Sequence, residues 1–442
     1  MGEAPRHAAE RDLVPERKFL WGAATSAYQV EGAPENDWTA WEALGKLKAP
    51  GVRCGRAAGH RERWRSDLAL LPTIGANAYR YSVEWSRIEP QPDRFDDHAL
   101  EHERRVVDFL VSRGIEPVLT IHHYTHPRWF WDKGGWGNPE SVGWFSRMAR
   151  TVAQAVGPGV RLWIPFNEPI VFLLGGYVAG LVPPGLKSFA AASRALEGIL
   201  RAHVEAAAAV RSVIPQARFG FAHNMLAFAA DRPDSPLDKR LVPAADRLYN
   251  LALLEALATG RMDWSFPGEG RACFEVGGLP AANDFIGVNY YSRVHLRFQP
   301  TASPMAEYAY RDPEGRGLTD TGWEVHPEGF DRALRVAAGV GLPLFVTENG
   351  IATDDDRRRC DFLREHALIL SHLRDSGLPI EGYFYWSLLD NFEWLEGFRP
   401  RFGLFGVDYA TFARRRRPSA DLFASLGRAF AARTAERSAR RA

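Results

Sequence analysis

Cysteine is scarce in this chain of 442 residues, which carries only Cys54, Cys273 and Cys360. So odd and scattered a set forms neither a disulfide framework nor a close metal knuckle, and a reducing compartment, the cytoplasm, is expected. Net charge is almost absent too. With 55 Lys and Arg against 54 Asp and Glu, the chain lacks the basic excess on which nucleic-acid affinity rests, so no nucleic-acid partner is expected. No run approaches ~18 uncharged apolar residues, which argues against a membrane-spanning helix. The opening MGEAPRHAAERDLVPERKF is charged throughout and has no apolar stretch of the secretory type. Short repeats and Gly/Ser linkers are missing as well. The expected division is an N-terminal extension over 1–18, one folded unit over 19–430 and a basic tail over 431–442.

What is present is enough for a large core: 46% of residues are hydrophobic and 25% charged. Eight short apolar runs read as strands. They are FLWGAATSAY from Phe19, NAYRYSVEW from Asn77, EPVLTIHHY from Glu116, RLWIPFNEP from Arg161, ARFGFAHN from Ala217, DFIGVNYY from Asp284, PLFVTENG from Pro343 and EGYFYWSLLDN from Glu381. Several lack clean alternation, as parallel strands buried on both faces do. Amphipathic stretches lie between them. From His60 to Ile74, Trp64, Leu68 and Leu71 recur at helical spacing, and Asp97 to Ser112 is closed by Gly114. Phe189 to Val213 and Lys239 to Leu257 read as long outer helices. Strand and helix alternating eight times predicts an α/β fold, a single (β/α)8 barrel. The stretch from Phe298 to Val325 reads as an unstructured excursion at the rim of the active face.

In such a barrel chemistry sits at the C-terminal ends of the strands. Two buried runs end in a carboxylate, WIPFNEP at Glu168 and LFVTENG at Glu348. Either glutamate alone reads better as a rim ion-pair partner. Two facing each other across a barrel mouth suit glycoside hydrolysis, which needs one protonated acid for the leaving oxygen and one ionised group at the anomeric carbon. His122, His123 and His126 raise zinc as a question, but HHYTH lacks the HExxH pattern, and neighbouring residues on a strand face opposite ways. No metal and no cofactor are expected.

The motifs FLWGAATSAYQVEG, YRYSVEWSRI, FNEP, GVNYY, VTENG and YWSLLDNFEWLEGF occur in this order from Phe19 to about Tyr409. On them the chain resembles glycoside hydrolase family 1, the retaining β-glucosidase family. The resemblance implies that Glu168 is the acid/base, Glu348 the nucleophile, and Asn167 the residue that holds the sugar 2-hydroxyl. It also implies that Arg80 and Tyr291 hold Glu348 ionised, with Asn289 supporting. Gln29, His123, Glu393 and Trp394 would grip the remaining hydroxyls, and Trp386 would floor the subsite. The implied substrates are β-glycosides or short β-linked oligosaccharides, cleaved by an exo-acting β-glucosidase with β-galactosidase or β-fucosidase activity as a further possibility. A transglycosidase on the same site, or a sugar-binding barrel with weak catalysis, are the alternatives.

Two departures qualify the resemblance. Where much of the family has Tyr-His-Trp-Asp, this chain reads His122-His123-Tyr124-Thr125; a phenol can still stack and donate a hydrogen bond. Members that take 6-phosphoglycosides carry Ser, Lys and Tyr where this chain has Glu393, Pro400 and Phe402, so a neutral substrate is expected. Arg399 and Arg401 are the cations near enough to reverse that expectation.

Overall fold

The computed structural model describes residues 18–266, 268–302 and 306–441, with side chains to 436. The extension expected over 1–18 therefore lies outside the described residues, apart from Lys18, as does the end of the tail. Eight strands, β1 Leu20–Ala24, β2 Ala78–Ser82, β3 Glu116–His122, β4 Leu162–Phe166, β5 Arg218–Ala230, β6 Phe285–Phe298, β7 Leu344–Asn349 and β8 Ile380–Trp386, fall in the eight apolar runs. Each pairs in parallel with the next, and β8 pairs back onto β1 from Leu20 opposite Gly382 to Ala24 opposite Trp386. The fold is a closed (β/α)8 barrel.

Alternation along the strands builds two cores. On β4, Leu162 and Ile164 point into the lumen with Ala78, Val118, Phe285, Phe345 and Phe384. Trp163, between them, points outward onto the helical ring. Gly22 shows how tight the lumen is, because a Cβ there would lie 2.5 Å from the Ala78 carbonyl oxygen. Truncating Ile164 to alanine would cost ~2–5 kcal/mol through the cavity left behind.

The outer ring is α1 His60–Leu68, α2 Asp97–Val111, α3 Ser141–Val156, α4 Phe189–Arg211, α5 Ala252–Thr259, α6 Pro327–Ala338, α7 Asp356–Asp375 and α8 Pro418–Arg441. Caps set several starts: Asp96 accepts from Ala99 N (2.9 Å) at α2, and Asp355 from Arg357 N (2.9 Å) at α7. The basic C-terminal stretch continues α8, and Thr434 on it is buried against Arg374 of α7.

Two expectations need correction. The helix expected over Lys239 to Leu257 is a helix over Pro236–Asp246, a π turn over Arg247–Leu251, and then α5. The wide turn lets the Asn250 side chain bond Leu226 of β5 through both its carbonyl (3.1 Å) and its amide (2.8 Å). The excursion after Phe298 is not wholly irregular. Strand Ala306–Ala309 pairs antiparallel with the long outer end of β6, and the segment returns Tyr310 and Trp323 to the barrel mouth.

Candidate active site

The strand ends surround a pocket of about 260 Å³. Gln29, His123, Asn167, Glu168, Tyr291, Glu348, Trp386, Glu393 and Trp394 all line it. Arg80 and Asn289 lie just beneath, fully buried, and join the carboxylates together. On β2, Ala78 faces the lumen and so does Arg80 two residues later. Its guanidinium donates to Glu348 Oε1 (2.6 Å) and to Asn167 Oδ1 (2.6 Å). Thr347 donates to Asn289 Oδ1 (2.6 Å), which turns the Asn289 amide toward Asn167 Oδ1 (3.1 Å) and Glu168 Oε1 (2.7 Å). The pairing of β7 with β6 slips by one residue between Val346 and Glu348. Alternation breaks there, so both Thr347 and Glu348 reach the pocket network.

The two glutamates sit in different surroundings. Glu348 meets a cation and a phenol, because Tyr291 donates to its Oε2 (2.6 Å). Among the described residues Glu168 meets neutral donors only: Asn289 and Asn224 (2.9 Å) on Oε1, and the Tyr124 hydroxyl on Oε2. Glu168, Tyr124 and Trp394 have φ of +47°, +74° and +49°. Side chains rarely adopt that left-handed region, and each such residue costs ~1–3 kcal/mol, strain that clusters where geometry is held for function.

Burial governs the charges. It pushes the Glu348 carboxyl up to about 7; Arg80 and the Tyr291 bond pull the other way, while the Glu168 charge adds to the rise. The expectation that Arg80 and Tyr291 simply hold Glu348 ionised is thus corrected, since desolvation outweighs them below neutrality. Glu393 is pushed up to about 8 by burial and then by Glu348 and Glu168, against a bond from Gln29 (3.1 Å). A neutral Glu393 both donates and accepts, as the hydroxyls of a neutral sugar do. Arg399 and Arg401 do not reach in. Arg399 bonds Glu396 (2.8 Å) and the Asp320 carbonyl, and Arg401 lies 3.5 Å from Asp390 and over the Tyr409 ring.

The histidines separate as strand geometry requires. Burial keeps His122 and His126 neutral; their Nε2 atoms lie 2.8 Å apart, and His126 also bonds Asp37 (2.7 Å) and Trp136 (2.8 Å). His123 turns instead to the pocket, near-parallel to Trp386 with ring centroids 5.9 Å apart. Asn167 Nδ2 donates to its Nε2 (3.3 Å), so Nδ1 carries the proton and is buried without a protein acceptor. Elsewhere Glu314, Glu324 and His326 bring ligand atoms within 4.8 Å of one another, but Arg293 donates to both glutamates and fills the place of a cation.

Comparison with known proteins meets this geometry. The profile of Glycosyl hydrolase family 1 matches residues 11–430. The chain belongs to that family. It is a glycoside hydrolase of the retaining class. It is 34% identical over 423 residues to beta-glucosidase A of Thermotoga maritima, covering 89% of this chain and 93% of that one. It is 30% identical over 483 residues to a beta-galactosidase of Pyrococcus woesei, covering 90% and 94%. Among solved structures, a beta-glycosidase from Pyrococcus horikoshii superposes with a TM-score of 0.84 at 36% identity, covering 93% of this chain and 94% of that one.

Sequence reasoning missed part of the lining. Asn224 ends the run ARFGFAHN, and a polar residue at a strand end was the signal for it. Tyr249, which donates to Asn224 Oδ1 (2.8 Å), reaches the pocket through the π turn and left no local signal. Tyr310 and Trp323 come from the excursion, where only the rim position was readable.

Proposed function

We propose that this glycosidase is an exo-acting β-glucosidase on neutral β-glycosides, with Glu348 as nucleophile and Glu168 as acid/base. The observation that carries the assignment is the asymmetry of the carboxylates: a cation faces Glu348, and only neutral donors face Glu168. In the first step a Glu348 oxygen attacks the anomeric carbon, the glycosidic C–O bond breaks, and Glu168 gives its proton to the leaving oxygen. Arg80 stabilises the attacking carboxylate and orients Asn167 toward the sugar 2-hydroxyl. In the second step Glu168 takes a proton from water, the water oxygen attacks the anomeric carbon, and Glu348 departs with net retention. Forming the glycosyl ester neutralises Glu348, which eases ionisation of Glu168 for this second role.

Binding follows from the same surfaces. His123 stands against the pocket beside Trp386, and Trp386 and Trp394 offer flat faces to a pyranose. Buried Arg80 and Asn289 close the pocket from beneath, with the lumen core below them, which supports cleavage from a chain end. The relatives' names support β-glucosidase first and β-galactosidase second. Three free cysteines support a reducing, cytoplasmic setting, and no helix among the described residues is long and apolar enough to cross a membrane. The test is kcat/KM for p-nitrophenyl β-glucoside, β-galactoside, β-fucoside and β-glucoside 6-phosphate side by side. The neutral glucoside should lead; equal or better turnover of the phosphate would overturn the reading.

A further inference from the structure

Tyr124 stands where much of the family has tryptophan, and its hydroxyl bonds the oxygen that must carry the catalytic proton. Glu168 Oε1 already accepts two amide N–H groups, from Asn224 (2.9 Å) and Asn289 (2.7 Å). Each carboxylate oxygen has two lone-pair sites, so Oε1 is full and the proton belongs on Oε2. The Tyr124 hydroxyl is bonded to that atom. Its ring is fixed by an edge contact to Trp394 (centroids 5.2 Å) and a near-parallel face on Phe172 (6.5 Å), with the backbone at φ +74°.

We infer that Tyr124 is a positioning residue for proton transfer, its hydroxyl fixing Glu168 Oε2 and following its protonation state. This rests on the assignment of Glu168 as acid/base. An indole or amide N–H only donates; a phenol O–H also accepts. While Glu168 is protonated the phenol oxygen can accept from Oε2–H. Once the proton has gone to the leaving oxygen, the phenol turns to donate to the carboxylate left behind. Donation to the anion favours proton release in the first step and slightly opposes proton uptake in the second. Burial and the Glu168 charge hold the phenol well above its ordinary range, so it stays protonated throughout. The other titratable or charged groups around Glu168 are Arg80 of β2, His123 after β3, Tyr249 of the π turn, Tyr291 of β6, Glu348 of β7 and Glu393 after β8. Among the described contacts none of these is bonded to Oε2, and Tyr124 is.

The test compares pH profiles of kcat/KM for wild type, Tyr124→Phe, Glu168→Ala and the double variant, using dinitrophenyl and methyl β-glucosides. Phenylalanine keeps the ring and its packing and removes only the hydroxyl. Loss of the donor should move the alkaline limb up by ~1 pH unit and leave the acid limb in place. It should slow the methyl glucoside about tenfold and the dinitrophenyl glucoside much less, because only a poor leaving group needs the proton. In the Glu168→Ala background the same change should move the dinitrophenyl rate less than about twofold, as coupled residues do. An unmoved alkaline limb with equal losses on both substrates would overturn the inference and make Tyr124 a wall of the pocket. Glu168→Ala that itself shows no leaving-group dependence would instead overturn the assignment beneath it.

Discussion

The two ends of the barrel carry the same kinds of residue and do different things with them. At the N-terminal end of the strands, Arg161 pairs with Glu116 and Arg218 with Glu381 (3.0 Å) around a hollow of about 410 Å³. At the C-terminal end Arg80 pairs with Glu348 beside a smaller pocket, about 260 Å³. Size therefore points to the wrong end. Exposure separates them: the Arg161 side chain is 64% exposed, whereas Arg80 and Glu348 are 2% and 5% exposed. Water screens the Arg161 pair to ~0–1 kcal/mol, and the Arg218–Glu381 pair, 19% and 27% exposed, is still wetter than the pair at the mouth. Desolvation at the mouth raises Glu348 to about 7 and Glu393 to about 8, so a charge there depends on the few groups that face it.

The sharpest way to break this comparison is to remove carboxylates from each end. Glu348→Gly should lower kcat by more than ~10⁴-fold on every glycoside, since no glycosyl-enzyme forms. Glu381→Gln at the other end should leave kcat within about twofold, since its half-buried pair with Arg218 lies at the far end of the barrel from the reacting groups. Glu168→Ala should cost ~10²–10⁴-fold with poor leaving groups and far less with dinitrophenolate. Added azide should then restore rate and yield the β-glycosyl azide. An α-azide from Glu168→Ala would mean the two roles are reversed.

Arginine substitutions give the next largest contrast. Arg80→Gln takes the donor from the buried Thr347 carbonyl and Asn167 Oδ1 and should cost ~1–3 kcal/mol in a denaturant melt. It should also move the acid limb of kcat/KM, which rises as Glu348 ionises near 7, to higher pH. Arg161→Gln should cost ~0–1 kcal/mol and leave the pH profile alone. Equal losses would mean that the mouth is no drier than the base.

The smallest effect is on stability against pH. Glu393 is raised in the folded chain from its ordinary 4.5 to about 8. The native state therefore holds a proton that the unfolded state has lost. The stabilisation this provides is complete below about 4.5 and declines as pH rises toward 8. Glu393→Gln should melt like wild type at pH 5 and ~2 °C higher at pH 8. Identical melting at both values would show that Glu393 is not desolvated as described.

Much of this was legible before the fold was seen, for physical reasons that also mark the limits. All eight strands announced themselves because parallel strands buried on both faces read as dense apolar runs, and Glu168 and Glu348 stood out as charges at their ends. Asn224 had that same signature. Tyr249 did not, because a π turn changes where a side chain points without changing composition. The bond from Tyr124 to Glu168 joins residues 44 apart in sequence, and donor capacity was readable where the partner was not. The titration of Glu348 was misjudged for a related reason: Arg80 was visible in the sequence, but the depth of burial that outweighs it is a property of the closed barrel.

The central claim, that Glu348 attacks the anomeric carbon while Glu168 manages the proton, can be tested by trapping the intermediate. A 2-deoxy-2-fluoro β-glucoside with a dinitrophenolate leaving group should accumulate as glycosyl-enzyme, because fluorine at C2 destabilises the oxocarbenium-like transition states and the activated leaving group still allows the first step. Peptide mapping by mass spectrometry should then place one fluoroglucosyl group on Glu348, with dinitrophenolate released in one equivalent. A label on Glu168 or any other residue, or α-glucose as the first product from an unlabelled enzyme, would contradict the account.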